Sequence, residues 1–432
     1  MNKTLNNKKR KYFWYRLDNI AKIFPSNISS RLTTLFRISA SMTTPIKISI
    51  LQKAFSNLIK RFPYYLVQLK AGFFWYYFES NPAIPKVMAE SKYPCMDMSF
   101  KKDGVFPLRV KVFKNRIAVE FSHILTDGMG AVSFLKALIA EYLQLRGVKI
   151  KDWGDVVKVN DKPDKKEWED SFKEHYNKSI PKPDRISEAY HIPFGFIDKG
   201  KYYITTGIIS VKKIKEIAKK KNVSIGELLI ALYFESIQEL YFKYTPKRKN
   251  RNPIRISIPV NLRKMYRSKT MRNFFMIVGL KIDPRLGRFS FDEILKEVYH
   301  FMRIEINEKY INQQIRRNVR GEVHPMIRSL PLFIKNIGLS FIYNFAGDNQ
   351  YTSSFSNLGL VTLPECLSDH IKGFDFYPPP NPKYKISCSA ISFKDRLSIS
   401  FGKLIKETDV EWFFFTKLIK MNIPVKIITN KE

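Results

Sequence analysis

The stretch FSHILTDGMGAVSFL, residues 121–135, brings together a histidine, an aspartate and a glycine that could do chemistry. His123 ends an apolar run, and Asp127 and Gly128 follow it closely. Imidazole has a near-neutral pKa, so His123 could take a proton from a hydroxyl, an amine or a thiol at pH 7. Asp127 is better suited to pair with a basic group and fix the loop than to attack a substrate. A purely structural histidine fits the same pattern, and these residues alone leave that alternative open.

The surrounding residues predict a strand, a turn and a helix that would position this motif. Apolar residues alternate along 116–124, which would place them on one face of a strand together with His123. Gly128 permits positive φ and therefore a tight turn. Apolar positions in 131–145 follow helical spacing, and Gly147 closes that helix.

Other kinds of catalytic site find no support in the sequence. No serine, cysteine or second carboxylate stands at a spacing that indicates a triad or a metal site, so no metal is expected. The three cysteines lie in unlike contexts and predict neither a disulfide framework nor a zinc site, which favours a reducing, cytoplasmic compartment. They are Cys95, Cys366 and Cys388.

The pattern along the whole chain is typical of an α/β protein of the α+β, two-layer kind. We expect two halves, residues 1–184 with a charged crossover at their end and residues 185–432, because 432 residues are long for one core. Strands are predicted at 32–40, 64–70, 72–79, 106–113, 202–210, 254–260, 273–282, 351–363, 386–393 and 396–401. Helices are predicted at 46–61, 211–221, 224–240, 291–314 and 409–421.

The apolar segment 329–347 is the part of the sequence most similar to a membrane segment. Pro331 and Lys335 interrupt it, so we expect a buried helix rather than a membrane span. A helix that rests on a membrane surface is the second interpretation. The N-terminal 25 residues lack the apolar region and cleavage site of a secretory signal.

The formal net charge is +36, from 75 Lys and Arg against 39 Asp and Glu. Such a surface attracts nucleic acid, anionic lipid and phosphorylated small molecules. The basic residues are spread along the whole chain, which favours a solvated basic surface. No nucleic-acid-binding module is recognisable, so a nucleic-acid-binding function rests on charge alone, and no specific nucleic acid is expected as a partner.

Several stretches together resemble the chloramphenicol-acetyltransferase-like superfamily. The pattern HxxxDG between a strand and a helix is specific to it, as is the region SIPVNLRKMYRSKTMRNFFMIV, residues 257–278. Two further stretches resemble superfamily segments at corresponding positions in the chain. They are IKRFPYY, residues 59–65, after the first predicted helix, and SNLG, residues 356–359, in the second half. The opening WYRLDNIAKIFP is similar to bacterial alcohol acetyltransferase-like members. The superfamily includes condensation domains of nonribosomal peptide synthesis and plant-type acyltransferases.

The resemblance implies two similar lobes, each a mixed sheet backed by helices, with a channel between them. It implies that His123 lies at the lobe junction and deprotonates an acceptor for attack on a thioester. Asp127 would be structural and pair with an arginine, for which Arg263 is the first choice and Arg272 the reserve. The alternative for Arg263 is an ordinary surface cation. The reaction would also need a hydrogen-bond donor for the oxyanion of the tetrahedral intermediate. The resemblance does not assign this donor, and Ser356 and Asn357 are the candidates.

Departures from the family pattern narrow the expected function. Ser122 stands where many condensation domains carry a first histidine, and the plant-type motif DFGWG is absent. No carrier-protein domain is fused, which favours a monomeric, free-standing alcohol acetyltransferase-like enzyme. It would use acyl-CoA, with acetyl-CoA as the first expectation, and a small hydroxyl or amine acceptor, with no tightly bound cofactor. Alternatives are a condensation-type or lipid-acylating protein that uses an acyl carrier protein, and a non-catalytic acyl- or lipid-binding member of the fold. An anionic membrane surface is a further partner to consider, and it would make a cytoplasmic protein membrane-associated.

Overall fold

The computed structural model describes residues 13–96, 98–99, 102–181, 183, 186–245, 252–346 and 348–431. For 341–346 and 348 it describes the backbone alone. The first twelve residues and the last residue of the predicted apolar segment 329–347 lie outside the described residues. The predicted boundary between residues 184 and 185 lies outside them as well, so the division of the chain there stays a prediction.

Strands and helices alternate along the described chain, as the sequence predicts for a mixed protein. The strands are β1 (Trp14–Arg16), β2 (Leu35–Met42), β3 (Val67–Ala71), β4 (Tyr76–Ser80), β5 (Met88–Ala89), β6 (Leu108–Phe113), β7 (Arg116–Ser122), β8 (Tyr203–Ser210), β9 (Ile254–Asn261), β10 (Phe275–Ile282), β11 (Ser353–Leu360), β12 (Ile371–Tyr377), β13 (Ile386–Phe393), β14 (Arg396–Lys403) and β15 (Lys426–Thr429).

Helices cover the sheets and connect them. They are α1 (Ile48–Leu58), α2 (Gly128–Leu145), α3 (Ser171–Glu174), α4 (Val211–Lys220), α5 (Ile225–Tyr244), α6 (Arg263–Tyr266), α7 (Phe291–Glu305), α8 (Glu308–Val323), α9 (Pro325–Ser329), α10 (Leu332–Ala346), α11 (Glu365–Ser368) and α12 (Asp409–Lys420). Ser224 and Glu227 have the Ser-x-x-Glu spacing of a capping box, and this box forms at the start of α5.

The strands form a two-lobed arrangement of mixed sheets. A five-stranded sheet has the order β12-β2-β7-β6-β5, and a seven-stranded sheet has the order β10-β9-β11-β13-β14-β8-β15. A small third sheet has the order β1-β4-β3. Strand β7, which leads to His123, is antiparallel to both β2 and β6. It is therefore held on both edges, and its end is a rigid position for a functional side chain.

One strand joins the two halves of the chain. Strand β12 comes late in the sequence, but it pairs with β2 in the sheet that contains β7. No strand was expected there, because its residues IKGFDFY give no strong period-2 signal. The first lobe is therefore completed by a segment from the second half of the sequence.

Each face of β7 has its own environment. Phe121 packs in the core under α2, with its ring 5.4 Å from that of Phe134. On the opposite face Glu120 is fully buried among three cations, Arg37, Arg109 and Lys111. Burial alone would raise the pKa of the Glu120 carboxyl, but these positive charges hold it below its usual value. The strand register is thus fixed by both faces.

Two predicted helices differ from those observed. The single helix expected over 291–314 is wrong, because it is divided into α7 and α8. Asn307 lies between them and accepts hydrogen bonds from the backbone amides of Lys309 and Tyr310. An asparagine in this position is a strong N-cap, and it starts a new helix rather than continuing the old one.

The expectation of a buried helix at 329–347 is also wrong. Helix α10 lies at the surface, where Phe333 is 68% and Ile337 is 73% exposed. Of its described side chains, those of Leu332 and Lys335 are buried. Within the described part of the chain, no helix combines the length and the apolar character needed to cross a membrane.

Candidate active site

His123 lies on a sharp turn directly after β7. Its backbone amide donates to the carbonyl of Thr34 at 3.0 Å. The hydroxyl of Ser122 lies 2.7 Å from that of Thr34 and also accepts a hydrogen bond from the amide of Ile124. Ser122 therefore has a structural place in the turn, at the position where many condensation domains carry their first histidine.

The imidazole of His123 lies among three aromatic rings. Ring centroids are 4.5 Å from Phe36 and 6.0 Å from both Phe24 and Phe275. Burial lowers the pKa of His123 from 6.5 to about 4, because the nearby charge of Asp127 offsets the loss of water only in part. The side chain remains partly exposed to solvent. The imidazole is therefore neutral at pH 7 and can accept a proton.

The ring of His123 is not held by a carboxylate. Its Nδ1 atom is buried and has no hydrogen bond of good geometry, although the side chain of Asn273 and the backbone of Thr126 lie close enough to favour the charged imidazole slightly. Asp127 does not orient the ring, since both of its oxygens have other donors. A buried polar atom without a partner costs free energy, on the order of 1–3 kcal/mol, and native proteins place such atoms mainly where a ligand or a reaction needs them.

Asp127 joins the turn after His123 to the other lobe. Its Oδ1 caps α2 by accepting from the amides of Met129 and Gly130. Arg263 donates to both carboxylate oxygens, at 2.8 and 3.0 Å, and the amide of Phe274 donates to Oδ2 at 2.9 Å. Because the carboxylate accepts five hydrogen bonds, it is suited to fixing the loop that carries His123.

The structure places Arg263, not Arg272, against Asp127. The guanidinium of Arg263 is mostly buried and also donates to the carbonyls of Thr270 and Arg272. Arg272 points elsewhere, with its Nε 3.5 Å from a carboxylate oxygen of Asp18. The alternative of an exposed surface cation at position 263 is excluded by this burial.

The two glycines at the start of α2 allow close packing, and Gly130 is the one whose neighbour cannot give way. Gly128 does not have the positive φ expected for it; a Cβ there would lie 2.5 Å from the side chain of Leu358 on β11. A Cβ on Gly130 would lie 2.4 Å from the backbone oxygen of Met271, which cannot move as easily as a side chain. The helix therefore begins in direct contact with segments of the second half of the chain.

Asn273 is a site residue that the sequence analysis did not single out. Its side-chain amide donates to the carbonyl of His123 at 2.8 Å and to the carboxylate of Asp18 at 3.1 Å. Burial raises the pKa of Asp18 to about 6, against the opposing charge of Arg272. A signal was present, because Asn273 lies in the family-like stretch RNFF, two positions before Phe275, whose ring approaches His123.

The two candidates for the oxyanion donor lie on β11. Ser356 is half-buried, and Asn357 is exposed, with its Oδ1 accepting from the amide of Gly359. No hydrogen bond joins either residue to His123 in the described part of the chain. It is Leu358, between Asn357 and the bulge that follows, that reaches the start of α2. Their oxyanion role stays a prediction.

Among the described residues, neither a metal cluster nor the surface cavity beside α1 adds to this site. Among the described residues no group of three or more histidine, cysteine or acidic side chains could hold a metal ion. A surface cavity of about 740 Å³ is bounded by α1, α2 and the crossover, with Lys60, Glu141 and Trp153 in its wall. His123 does not line it, so we assign the cavity no part in the chemistry.

Solved structures with the same fold cover nearly the whole chain. TRI101 of F. graminearum, complexed with coenzyme A and deoxynivalenol, has a TM-score of 0.62 at 10% identity, over 96% of this chain and 99% of the other. The trichothecene 15-O-acetyltransferase TRI3 from Fusarium sporotrichioides has a TM-score of 0.60 at 11% identity, over 95% of both chains. The condensation domain of the monacolin K polyketide synthase MokA has a TM-score of 0.56 at 12% identity, over 95% and 96%.

These likenesses establish the fold. The chain has the two-lobed chloramphenicol-acetyltransferase-like fold that the trichothecene acetyltransferase and the condensation domain share. No family model matches the sequence, and no curated protein matches it closely enough to identify a relative. The function of this chain is therefore argued from its own site.

Proposed function

We propose that the protein is an acyltransferase that moves an acyl group, with acetyl as the first candidate, from acyl-CoA to a hydroxyl or amine acceptor. The observation that carries the proposal is the state of His123. Its imidazole is neutral at pH 7, its Nδ1 has no partner among the described residues, and it stands on a rigid loop. A lone base of this kind is sufficient for acyl transfer from a thioester.

The proposed reaction needs no covalent enzyme intermediate. His123 takes the proton of the acceptor while the acceptor oxygen or nitrogen bonds to the thioester carbonyl carbon. The tetrahedral intermediate collapses, the carbon–sulfur bond breaks, and the thiolate leaves. The imidazolium then returns the proton to sulfur, which gives the ester or amide and free coenzyme A. Asp127, Arg263 and Asn273 are positioning residues in this scheme, because they hold the loop and do not contact the substrate.

The surroundings of His123 favour an acceptor with an apolar part. Phe24, Phe36 and Phe275 present ring faces or edges to the imidazole, and aromatic walls stabilise apolar groups more than charged ones. Coenzyme A as donor is supported by its presence in a structure of the same fold and by the basic charge of this chain. An acyl carrier protein as donor is the second candidate, supported by the condensation domain of the same fold.

The test is acyl transfer by purified protein. Incubation with acetyl-CoA and other acyl-CoA thioesters, together with a panel of alcohols and amines, should release free thiol and form an ester or amide visible by mass spectrometry. His123→Ala should lower kcat by about 100- to 10,000-fold with unchanged circular dichroism. His300→Ala is the matched control, since His300 is an exposed histidine of α7 and should leave activity unchanged.

Three results would count against the proposal. Wild-type turnover in a folded His123→Ala protein would remove the catalytic role of this residue. Turnover with an acylated carrier protein but not with any acyl-CoA would replace the donor by the second candidate. Binding of acyl-CoA without any turnover would favour a non-catalytic acyl-binding protein.

A further inference from the structure

An exposed apolar surface lies away from the chemistry described above, on α9, α10 and the turn between β3 and β4. We call it the α9–α10 face. Its members are large apolar side chains that the fold leaves exposed, several of them by about two thirds. They are Phe73 (69%), Phe74 (45%), Met326 (70%), Ile327 (37%), Leu330 (38%), Phe333 (68%), Ile334 (41%) and Ile337 (73%).

These side chains form one continuous surface, because the turn and the helix are bonded to each other. The amide of Leu332 donates to the carbonyl of Phe73 at 2.8 Å. The ammonium of Lys335 donates to the carbonyls of Phe74 and Arg328 at 3.0 Å each and lies 3.9 Å from the ring centre of Trp75. The positive charge of Lys335 is thereby directed into the protein, and the exposed side chains of Phe333, Ile334 and Ile337 leave the outer side of residues 332–340 apolar. Contiguous apolar surface of this kind marks a site of interaction.

The border of the α9–α10 face is basic. Apart from Lys335, which is directed inward, the segment 308–340 contains five Lys and Arg against two Glu. One of those two, Glu322, is already paired with Lys22 and Lys173. Arg320 and Arg328 are exposed, and neither has an acidic partner among the described residues. The surface therefore combines apolar side chains with unneutralised positive charge.

We propose that the α9–α10 face docks onto an anionic lipid bilayer. Apolar side chains would enter the boundary between headgroups and acyl chains, while Arg320 and Arg328 would contact lipid phosphates. A helix of 15 residues is too short to span the hydrocarbon core, so α10 would lie in the plane of the surface. Self-association through the same face is disfavoured, because it would bring together two basic borders on chains that each carry a formal charge of +36.

The docking surface adjoins the segment that lines His123. Helix α10 packs on the short turn of helix Ala21–Ile23, and the hydroxyl of Ser340 lies 3.5 Å from the carbonyl of Ser26. Between these two contacts lies Phe24, whose ring stacks on that of His123. Docking itself does not depend on the function proposed above. If both hold, an apolar acceptor dissolved in the bilayer would have a short path to the base.

The test is vesicle binding by the full chain. We expect co-sedimentation with phosphatidylcholine vesicles that contain phosphatidylglycerol and at least about tenfold weaker binding to pure phosphatidylcholine. The double variant Phe333→Ser with Ile337→Ser should weaken binding by about tenfold or more while the thermal unfolding midpoint stays the same. Its matched control is Trp412→Ser with Ile419→Ser, which alters two exposed apolar residues of α12 that are 60% and 56% exposed. That control should bind as the wild type does.

A second pair of variants tests the charge. Arg320→Gln with Arg328→Gln should reduce binding to the anionic vesicles by about tenfold, whereas Lys213→Gln with Lys215→Gln on the exposed side of α4 should change it little. Equal binding by the wild type and the Phe333/Ile337 variant would overturn the proposal, because charge alone would then explain adsorption. Absence of vesicle binding would overturn it too. In that case, dimers in sedimentation velocity that are lost in the Phe333/Ile337 variant would assign the face to a second copy of the chain.

Discussion

At the scale of the residue, the environment of His123 explains both why its imidazole is neutral and why no carboxylate holds the ring. Three aromatic rings remove water from the imidazole, and this loss of hydration disfavours the charged form. Asp127 is close enough to oppose this effect, but its oxygens are engaged by Arg263 and backbone amides. A histidine in a catalytic triad is oriented by its carboxylate, whereas this one has its backbone held by Thr34 and Asn273 and no carboxylate on its ring.

The lowered pKa of His123 predicts the pH dependence of the reaction. A base must be unprotonated, so kcat/KM should stay level from pH 7 down to about pH 5 and fall only as pH approaches about 4. The profile can be checked by initial rates across this pH range, measured at a saturating concentration of acceptor and a limiting concentration of acyl-CoA. An acidic limb centred near the ordinary histidine value of 6.5 would contradict the effect of burial.

The same shift predicts a pH dependence of stability. Because the pKa of His123 is lower in the folded than in the unfolded chain, unfolding takes up a proton between pH 6.5 and about 4, and stability is lost as pH falls through this window. The free energy of unfolding of a His123→Gln variant should therefore decline less on acidification than that of the wild type. Parallel declines would show that His123 is not the group responsible.

At the scale of the element, the strand–turn–helix unit of β7 and α2 is held by contacts from the second half of the sequence. Arg263 and the amide of Phe274 fix Asp127, and Asn273 fixes the carbonyl of His123. The start of α2 is packed so tightly that Gly130 leaves no room for a side chain. The position of His123 is therefore set by contacts between two parts of the chain, not by the HxxxDG turn alone.

A double-mutant cycle would measure this connection. Asp127→Asn and Arg263→Ala should each lower the free energy of unfolding by about 3–5 kcal/mol, because each leaves a buried charge without its partner. The free energy of unfolding of the double variant should be little lower than that of either single variant, and kcat should fall in all three. Chemical denaturation and initial rates give the two readouts.

The exposed pair Lys221–Asp292 provides the matched control for the cycle. Its atoms are 2.6 Å apart, but the carboxylate is largely in solvent, so the corresponding Ala and Asn variants should each cost about 0–1 kcal/mol. Fully additive losses at Asp127 and Arg263 would mean that the two residues act independently, and the proposed positioning role would then fail.

At the scale of the whole molecule, the formal net charge of +36 is the feature that acts on ligands over the longest distance. Many of the cations that the structure describes at the surface have no acidic neighbour, so the field of the chain attracts anions over a distance set by the ionic strength. An acyl-CoA donor and an anionic bilayer would both gain from this field. Neither needs a nucleic-acid-binding module, which the sequence does not contain.

This field predicts the salt dependence of the donor step. The KM for acyl-CoA should rise markedly between low and physiological ionic strength, because coenzyme A carries several phosphate charges, while kcat should change little. Steady-state kinetics in a series of potassium chloride concentrations would check this. Tight, sequence-selective binding of DNA or RNA at physiological salt, without turnover of any acyl-CoA, would instead assign the charge to nucleic acid.

Much of the molecule follows from local sequence alone. Alternating apolar residues placed β6 and β7, helical spacing placed α1 and α2, and a capping box placed the start of α5. The HxxxDG pattern singled out His123 and Asp127, and the family-like stretch around Arg263 supplied the arginine that lies against Asp127. These features could be predicted because they depend on periodicity, caps and short motifs, which a sequence displays directly.

Other features were decided by the tertiary structure. A sequence shows that a helix is apolar but not whether another element covers it, so α10 was expected in the core although it lies at the surface. A sequence also does not show which carbonyl group an asparagine side chain contacts, so the role of Asn273 was missed. Strand β12 paired with β2, which lies more than 300 positions earlier in the chain, and Gly128 packs against Leu358 without the positive φ expected for it. In each case the deciding contact is between segments far apart in the chain, and local pattern carries no information about which distant surfaces meet.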